Sequence, residues 1–251
     1  MASVEMLYDF LDNSIKTEFS CEWDNDGKMC VPCPDREVRK VLVCLDVCSE
    51  AIDYAIKNDF DCIISHHPLI FDPLKCIDAS THTGRKIYKI MKNDISVFSF
   101  HTRLDKVSGG VNDAFADMLC MRNIRDFSDI GRMGCIDECS LIELAKKIKE
   151  KTGSDRIICV DSGKKTSKIA IVCGSGKGYI EEAAMCGCDT FLTGELPFNY
   201  EHDAKEMGIN LICAGHYFTE NIVCKRMEML IKSFDDKIYT EMYETNPSFA
   251  L

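Results

Sequence analysis

Short apolar runs alternate with helix-period segments along almost the whole chain, and this alternation limits the fold more than any other feature. Residues 3–17 place Val4, Leu7, Phe10, Leu11 and Ile15 at helical spacing. The run Val41-Leu42-Val43-Cys44-Leu45 within 38–47 reads as a buried strand, and Ser49 is the expected N-cap of the helix that follows. Strands at 62–64 and 95–100 then flank a helix at 84–94, and Gly109-Gly110 opens another helix. The pattern restarts after 124–134. Helices are expected at 140–152, 179–186, 199–207 and 218–232, and strands at 157–160, 168–173, 190–193, 210–214 and 237–240. Such alternation favours an α/β architecture with largely parallel sheets. At roughly 150 residues per domain, 251 residues make one large domain or two small ones. The restart predicts two lobes, 1–125 and 126–251, with the C-terminal helix free to pack back on the first. No Pro/Gly/Ser-rich linker separates them, so interlinked lobes are expected, and residues 246–249 read as a tail.

Ligand sites in α/β sheets gather outside the carboxyl ends of the strands. Three predicted strand ends release polar groups there. Ser65-His66-His67-Pro68 follows the first, His101 with Asp105 the second, and Gly215-His216-Tyr217-Phe218-Thr219-Glu220 the third. The spacing of four places His216 and Glu220 on one helical face. Adjacent histidines on an extended strand point in opposite directions, so His66 and His67 are expected to serve two different ions. Imidazole with carboxylate suits zinc, iron, manganese, cobalt or nickel, and the oxygen donors admit magnesium. Two such ions make a hydrolytic centre. A lone histidine is more often a core or surface residue. A doubled histidine at a strand exit is harder to read as packing, because buried imidazoles need partners. His82, in a predicted loop, and His202, on a predicted helix surface, are read as surface residues.

Composition narrows the partners. With 30 basic and 41 acidic residues the net charge is −11, which argues against duplex nucleic acid or an anionic membrane. No apolar run is long enough to span a bilayer. The first 20 residues carry Glu5, Asp9, Asp12 and Glu18, unlike a signal or transit peptide. The 16 cysteines therefore suggest a reducing cytoplasm, where thiols pack as small hydrophobes or bind metal. Cys30 and Cys33 have the spacing of half a zinc site or of a redox pair, and Cys186 with Cys188 is the nearest second pair. Packing is the favoured reading for most of the thiols, including Cys62, Cys159, Cys173 and Cys213. Gly174-Ser175-Gly176-Lys177-Gly178 lacks the spacing of a phosphate loop and reads as a tight turn, with Lys177 a candidate nucleotide contact.

These residues resemble the type 2 GTP cyclohydrolase family, also called the Nif-three-like dinuclear-metal proteins. The resemblance runs through Glu22-Trp23-Asp24-Asn25, Ile63-Ile64-Ser65-His66-His67-Pro68-Leu69-Ile70-Phe71, His101-Thr102, Leu104-Asp105 and Gly109-Gly110-Val111-Asn112-Asp113. It continues in Thr193-Gly194-Glu195, Ala214-Gly215-His216-Tyr217 and Thr219-Glu220. It implies that His66, His67, Asp105, His216 and Glu220 are metal ligands for two divalent ions, with Glu220 and then Asp105 the candidate bridging groups and His101 a further ligand or proton shuttle. It also implies two interlinked α/β lobes, the metal site at strand ends between them, and a ring-shaped homo-oligomer, often a hexamer. Two departures stand out. Asp26-Gly27-Lys28-Met29 replaces the usual Gly-Leu-Gln, and Leu196-Pro197-Phe198-Asn199-Tyr200 stands where many members place a histidine.

The expected function is that of a cytoplasmic dinuclear metal-dependent hydrolase acting on a small molecule such as a nucleotide. Water attack on guanine C8 with formate release is the reaction the family name implies. A metal-dependent phosphoesterase, a metal-binding regulatory or scaffold protein without turnover, and a thiol redox protein built on Cys30 and Cys33 are the alternatives.

Overall fold

The computed structural model describes residues 2–248; Phe249, placed in the expected tail, lies outside them. The chain divides into two compact units. One comprises the residues up to Val107 together with Val223–Asn246; the other comprises Ser108–Ile222 and the residues from Pro247 on.

In the first unit, α1 (Val4–Ser14) buries Val4, Leu7 and Leu11 and is capped by Ser3, whose hydroxyl accepts from the Met6 amide at 3.2 Å. β1 (Gly27–Cys30) follows, then β2 (Lys40–Cys44), α2 (Ser49–Lys57), β3 (Cys62–Ser65), α3 (His82–Lys92), β4 (Ser96–Ser99) and α4 (Thr102–Lys106). The sheet order is β1-β4-β3-β2 with β11 (Tyr239–Tyr243) beyond β2. All contacts in it are parallel except β1 on β4. β3 and β4 are buried at every position, which is why they read as unbroken apolar runs. The core gathers Leu42, Ile52, Ile63, Ile87, Ile90 and Val97. Two local expectations shift. The cap of α2 is Cys48, whose sulfur accepts from Ala51 N, rather than Ser49. His82 opens α3 behind a Thr81 cap rather than lying in a loop.

The second unit begins with α5 (Val111–Met118) and a hairpin of β5 (Arg122–Phe127) and β6 (Gly131–Cys139). α6 (Leu141–Thr152) opens on a capping box of Ser140 and Glu143 and ends on Gly153 in the left-handed region. β7 (Ile158–Val160), β8 (Thr166–Ser175), α7 (Ile180–Met185), β9 (Thr190–Glu195), α8 (Asn199–Met207), β10 (Asn210–Cys213) and α9 (His216–Glu220) complete it, and α10 (Ile222–Phe234) leads back to the first unit. The order is β5-β6-β8-β9-β10-β7, with a parallel centre at β8-β9-β10 and antiparallel neighbours outside it. The architecture is thus α/β with two mixed sheets. The chain changes unit at Val107–Ser108, not near residue 125. The side chain of Asn112 on α5 accepts from the Cys173 amide of β8 at 2.9 Å and donates to Ile130 O at 3.0 Å, tying that helix to the second sheet.

None of the 16 cysteines is in a disulfide, and seven are buried. Burial raises the Cys30 and Cys188 thiols to about 11 and Cys213 to about 12, so they stay protonated and unreactive. Cys159 departs from the packing expectation, because the short edge strand β7 leaves it exposed. No helix among the described residues is long and apolar enough to cross a membrane.

Candidate metal centre

β3 and β4 are adjacent parallel strands with Ser65 opposite Ser99, so their carboxyl ends deliver His66, His67 and His101 side by side. The two serine hydroxyls bond at 2.8 Å, which fixes the register where the strands end. His66 and His67 do not splay as residues of a pleat. The chain bends immediately after Ser65, so strand alternation no longer governs them. Their ring centroids are 5.0 Å apart, and those of His101 lie 5.2 and 5.6 Å from them. One ring nitrogen from each of the three histidines lies within 4.8 Å of the others, a group that could hold a metal ion. His66, with Asp105, and His67 also fall in separate candidate groups, as expected if each serves its own ion. Asp105, on α4, brings its Oδ1 to 3.6 Å from His66 Nε2.

Each of these rings is oriented through its other nitrogen. His66 Nδ1 is 2.9 Å from the Phe100 carbonyl. A carbonyl only accepts, so Nδ1 carries the proton and Nε2 of the neutral ring keeps its lone pair. His67 Nδ1 lies 2.9 Å from Asp46 Oδ1, and His101 Nδ1 lies 2.8 Å from Asp24 Oδ1. Asp24 Oδ2 accepts from the Thr102 amide at 3.0 Å and from its hydroxyl at 2.6 Å. Burial alone would raise the Asp24 pKa, but the bonds from His101 and Thr102 outweigh it and bring it down to about 2.

In the second unit the parallel pair β9 and β10 plays the same part, with Cys213 opposite Thr193. Gly215 turns the chain at φ 91° into α9, where a non-glycine residue would be strained. His216 Nδ1 lies 3.1 Å from Glu195 Oε1, and Nε2 lies 3.0 Å from Glu220 Oε2. Glu220 is buried. Its place is made by Gly174 at the end of β8: φ is +66°, and a Cβ there would lie 1.9 Å from Glu220 Oε1 and 3.2 Å from His216 Nε2. The Thr219 hydroxyl accepts from the Gly174 amide at 3.0 Å. The glycine-rich turn expected at 174–178 therefore seats a carboxylate, and Lys177 in it is exposed. Gly174→Ala is expected to displace Glu220 and weaken metal binding about tenfold or more, with the circular dichroism of the fold kept. Unchanged metal affinity in a titration would refute this role.

Four histidines, each held at Nδ1 by a carboxylate or a carbonyl, together with Asp105 beside His66 Nε2 in the first unit and Glu220 beside His216 Nε2 in the second, have the donor chemistry of a divalent transition metal. Nothing comparable surrounds the cysteines: among the described residues no cysteine joins a group that could hold a metal. Cys33 Sγ faces Asp94 at 3.7 Å. His202 packs edge-on against Phe198 at 5.1 Å. The orienting carboxylates Asp24, Asp46 and Glu195 escaped the sequence reading as functional residues. Asp46 follows the run ending at Leu45, so the same strand-exit rule, applied to β2, finds it.

An α/β protein carrying histidine–carboxylate groups at the strand ends of both sheets is the class that fold and site define. The chain belongs to the Duf34/NIF3 (NGG1p interacting factor 3) family, which matches residues 2–247. It is 36% identical to the GTP cyclohydrolase 1 type 2 homolog of Clostridium acetobutylicum, covering 86% of this chain and 82% of the relative. It is 30% identical to the GTP cyclohydrolase 1 type 2 of Helicobacter pylori strain 26695, covering 98% of each. The crystal structure of Staphylococcus aureus protein SA1388 superposes with a TM-score of 0.89 at 27% identity, over 100% of this chain and 99% of that one. Reduced HcgD from Methanocaldococcus jannaschii gives a TM-score of 0.84 at 26% identity, over 96% and 97%.

Proposed function

We propose that this chain is a dinuclear metal-dependent hydrolase whose ligands are His66, His67, Asp105, His216 and Glu220, with His101 moving protons. The observation that carries the reading is the shared arrangement of four histidines, each oriented through Nδ1 by a carboxylate or a carbonyl, as metal-ligating imidazoles are. Structural zinc sites prefer cysteine and closed four-ligand sets. An imidazole–carboxylate set of five ligands is instead suited to catalysis. Divalent ions held there supply Lewis-acid polarisation of an electrophile and acidify water. His101, oriented by the Asp24 carboxylate, is the group that takes or returns a proton at Nε2.

The names of the relatives direct the choice of substrate: GTP, with water adding at guanine C8 and formate leaving. The test compares wild type with His67→Ala, measuring bound metal per chain and formate and phosphate release from a nucleotide panel. Wild type is expected to hold two exchangeable ions per chain and to release formate from GTP. The variant is expected to lose at least one ion and about a hundredfold in turnover. A wild type that binds no metal, or a variant that keeps both its metal and its activity, refutes the hydrolase.

A further inference from the structure

The chain has one tryptophan, and it stands in solvent. Trp23 is 63% exposed and Phe71 is 47% exposed. Their ring centroids are 6.1 Å apart with the planes tilted by 51°. Both also meet His101 edge-on, Trp23 at 6.2 Å and 75°, Phe71 at 6.3 Å and 78°. A single exposed aromatic ring needs no explanation. Two rings from separate loops, meeting beside the same histidine of the candidate centre, do.

The loops that carry them are held in place. The Asn25 side-chain amide donates to Ile70 O at 2.5 Å, joining the turn that bears Trp23 to the segment that ends in Phe71. The Cys21 amide donates to Thr102 Oγ1 at 2.9 Å, and the Asp24 amide to Cys21 O at 3.0 Å, so Trp23 sits on a turn pinned to α4. The rings are therefore set before any ligand arrives, which lowers the ordering cost of binding.

We propose that Trp23 and Phe71 form a stacking subsite for a planar heteroaromatic ring, such as a purine base, that turns one ring edge toward the histidine group. This inference rests on the proposed function for its ligand class and adds the residues that recognise the base. Every base has a π face, so the two rings select ring-bearing over ring-free ligands without choosing among bases. They determine specificity and carry no chemistry.

Trp23 is its own reporter. Metal-loaded wild type is titrated with GTP, guanosine and inorganic triphosphate while tryptophan emission is followed. GTP and guanosine are expected to quench it, and inorganic triphosphate is not. Phe71→Ala is expected to weaken GTP about tenfold while leaving metal content and inorganic triphosphate affinity unchanged. Trp23→Leu, followed by calorimetry, is expected to show the same selective loss. The subsite is overturned if saturating GTP leaves Trp23 emission unchanged. It is also overturned if GTP and inorganic triphosphate bind equally tightly and neither substitution alters GTP affinity. A wild type that binds no metal refutes the hydrolase instead, and guanosine quenching then decides the stacking subsite alone: quenching upholds it and no quenching ends it.

Discussion

Arg103→Met is expected to cost about 3–5 kcal/mol of stability, the usual cost of removing one partner from a buried ion pair. Arg103 is 1% exposed. Its guanidinium donates to Asp12 Oδ1 at 2.7 Å, to Ile15 O at 2.9 Å and to Thr17 Oγ1 at 3.2 Å, and its Nε lies 3.1 Å from Asp26 Oδ2. Its carbon also lies 4.6 Å from the centre of the Phe100 ring. One side chain thus ties α1, the loop behind it, the turn before β1 and the end of β4 to α4. Close packing at Gly27 depends on it too: a Cβ there would meet Tyr8 Oη at 3.0 Å and Arg103 Nη2 at 3.4 Å. Methionine fills the length but leaves the Asp26 carboxylate buried without its cation.

The pH dependence has a definite sign. Burial already raises the Asp26 pKa, against the lowering effect of Arg103. Without Arg103 it rises further. A carboxyl whose folded pKa lies above its unfolded value destabilises the fold once pH passes the unfolded value, and the penalty is complete above the folded pKa. The deficit of the variant, read by denaturant unfolding, is therefore expected to be largest near pH 7 and to shrink as pH falls toward 4. A deficit below about 1 kcal/mol at pH 7 would show that the network around Arg103 is not what holds α4. Because His101 and Asp105 flank Arg103, the metal affinity of the folded variant is expected to fall as well.

The central strands were legible because burial on both faces leaves a bare apolar signal in β2, β3, β4, β9 and β10. The edge strands β1 and β5 were not. β5 carries Arg122, Arg125 and Asp126, and only Phe127 at its end is buried, so a real strand looks like a polar connection. β1 sits in a stretch rich in turn residues and is recognisable only through its pairing with β4. The change of unit at residue 107 was hidden for a related reason. The apolar face of α5 shows that it packs, but which sheet it packs on is decided by Asn112, a polar side chain whose partner at Cys173 is 61 residues away. Within the site, strand exits announced the histidines. Their convergence depended on a bend after Ser65 that no period can reveal, and their orienting carboxylates came from other strands and turns.

Asp24→Asn is expected to lower metal affinity and turnover by about 10- to 100-fold, the usual effect of removing the group that orients an imidazole. The carboxylate serves four donors: His101 Nδ1 and the Asn25 amide on one oxygen, and the amide and hydroxyl of Thr102 on the other. An asparagine has one acceptor oxygen and cannot serve both sides. With that oxygen toward Thr102, its NH2 faces His101 Nδ1 and forces the tautomer in which Nε2 carries the proton. With the oxygen toward His101, the NH2 opposes the Thr102 amide. Either arrangement loses charge-assisted bonds, so a stability cost of about 2 kcal/mol is expected as well. The acid limb separates the two effects. The Asp24 pKa is lowered to about 2 in the fold, so its contribution is complete above the unfolded value near 4 and is lost as pH falls through 2. Wild type and variant are therefore expected to differ in unfolding free energy at pH 7 and to converge between about pH 4 and 2. The metal deficit is read at pH 7 on protein shown by circular dichroism to be folded. A variant that loses stability but keeps full metal affinity and an unaltered pH–rate profile would make Asp24 a structural pin alone, and His101 would then owe its orientation to other contacts.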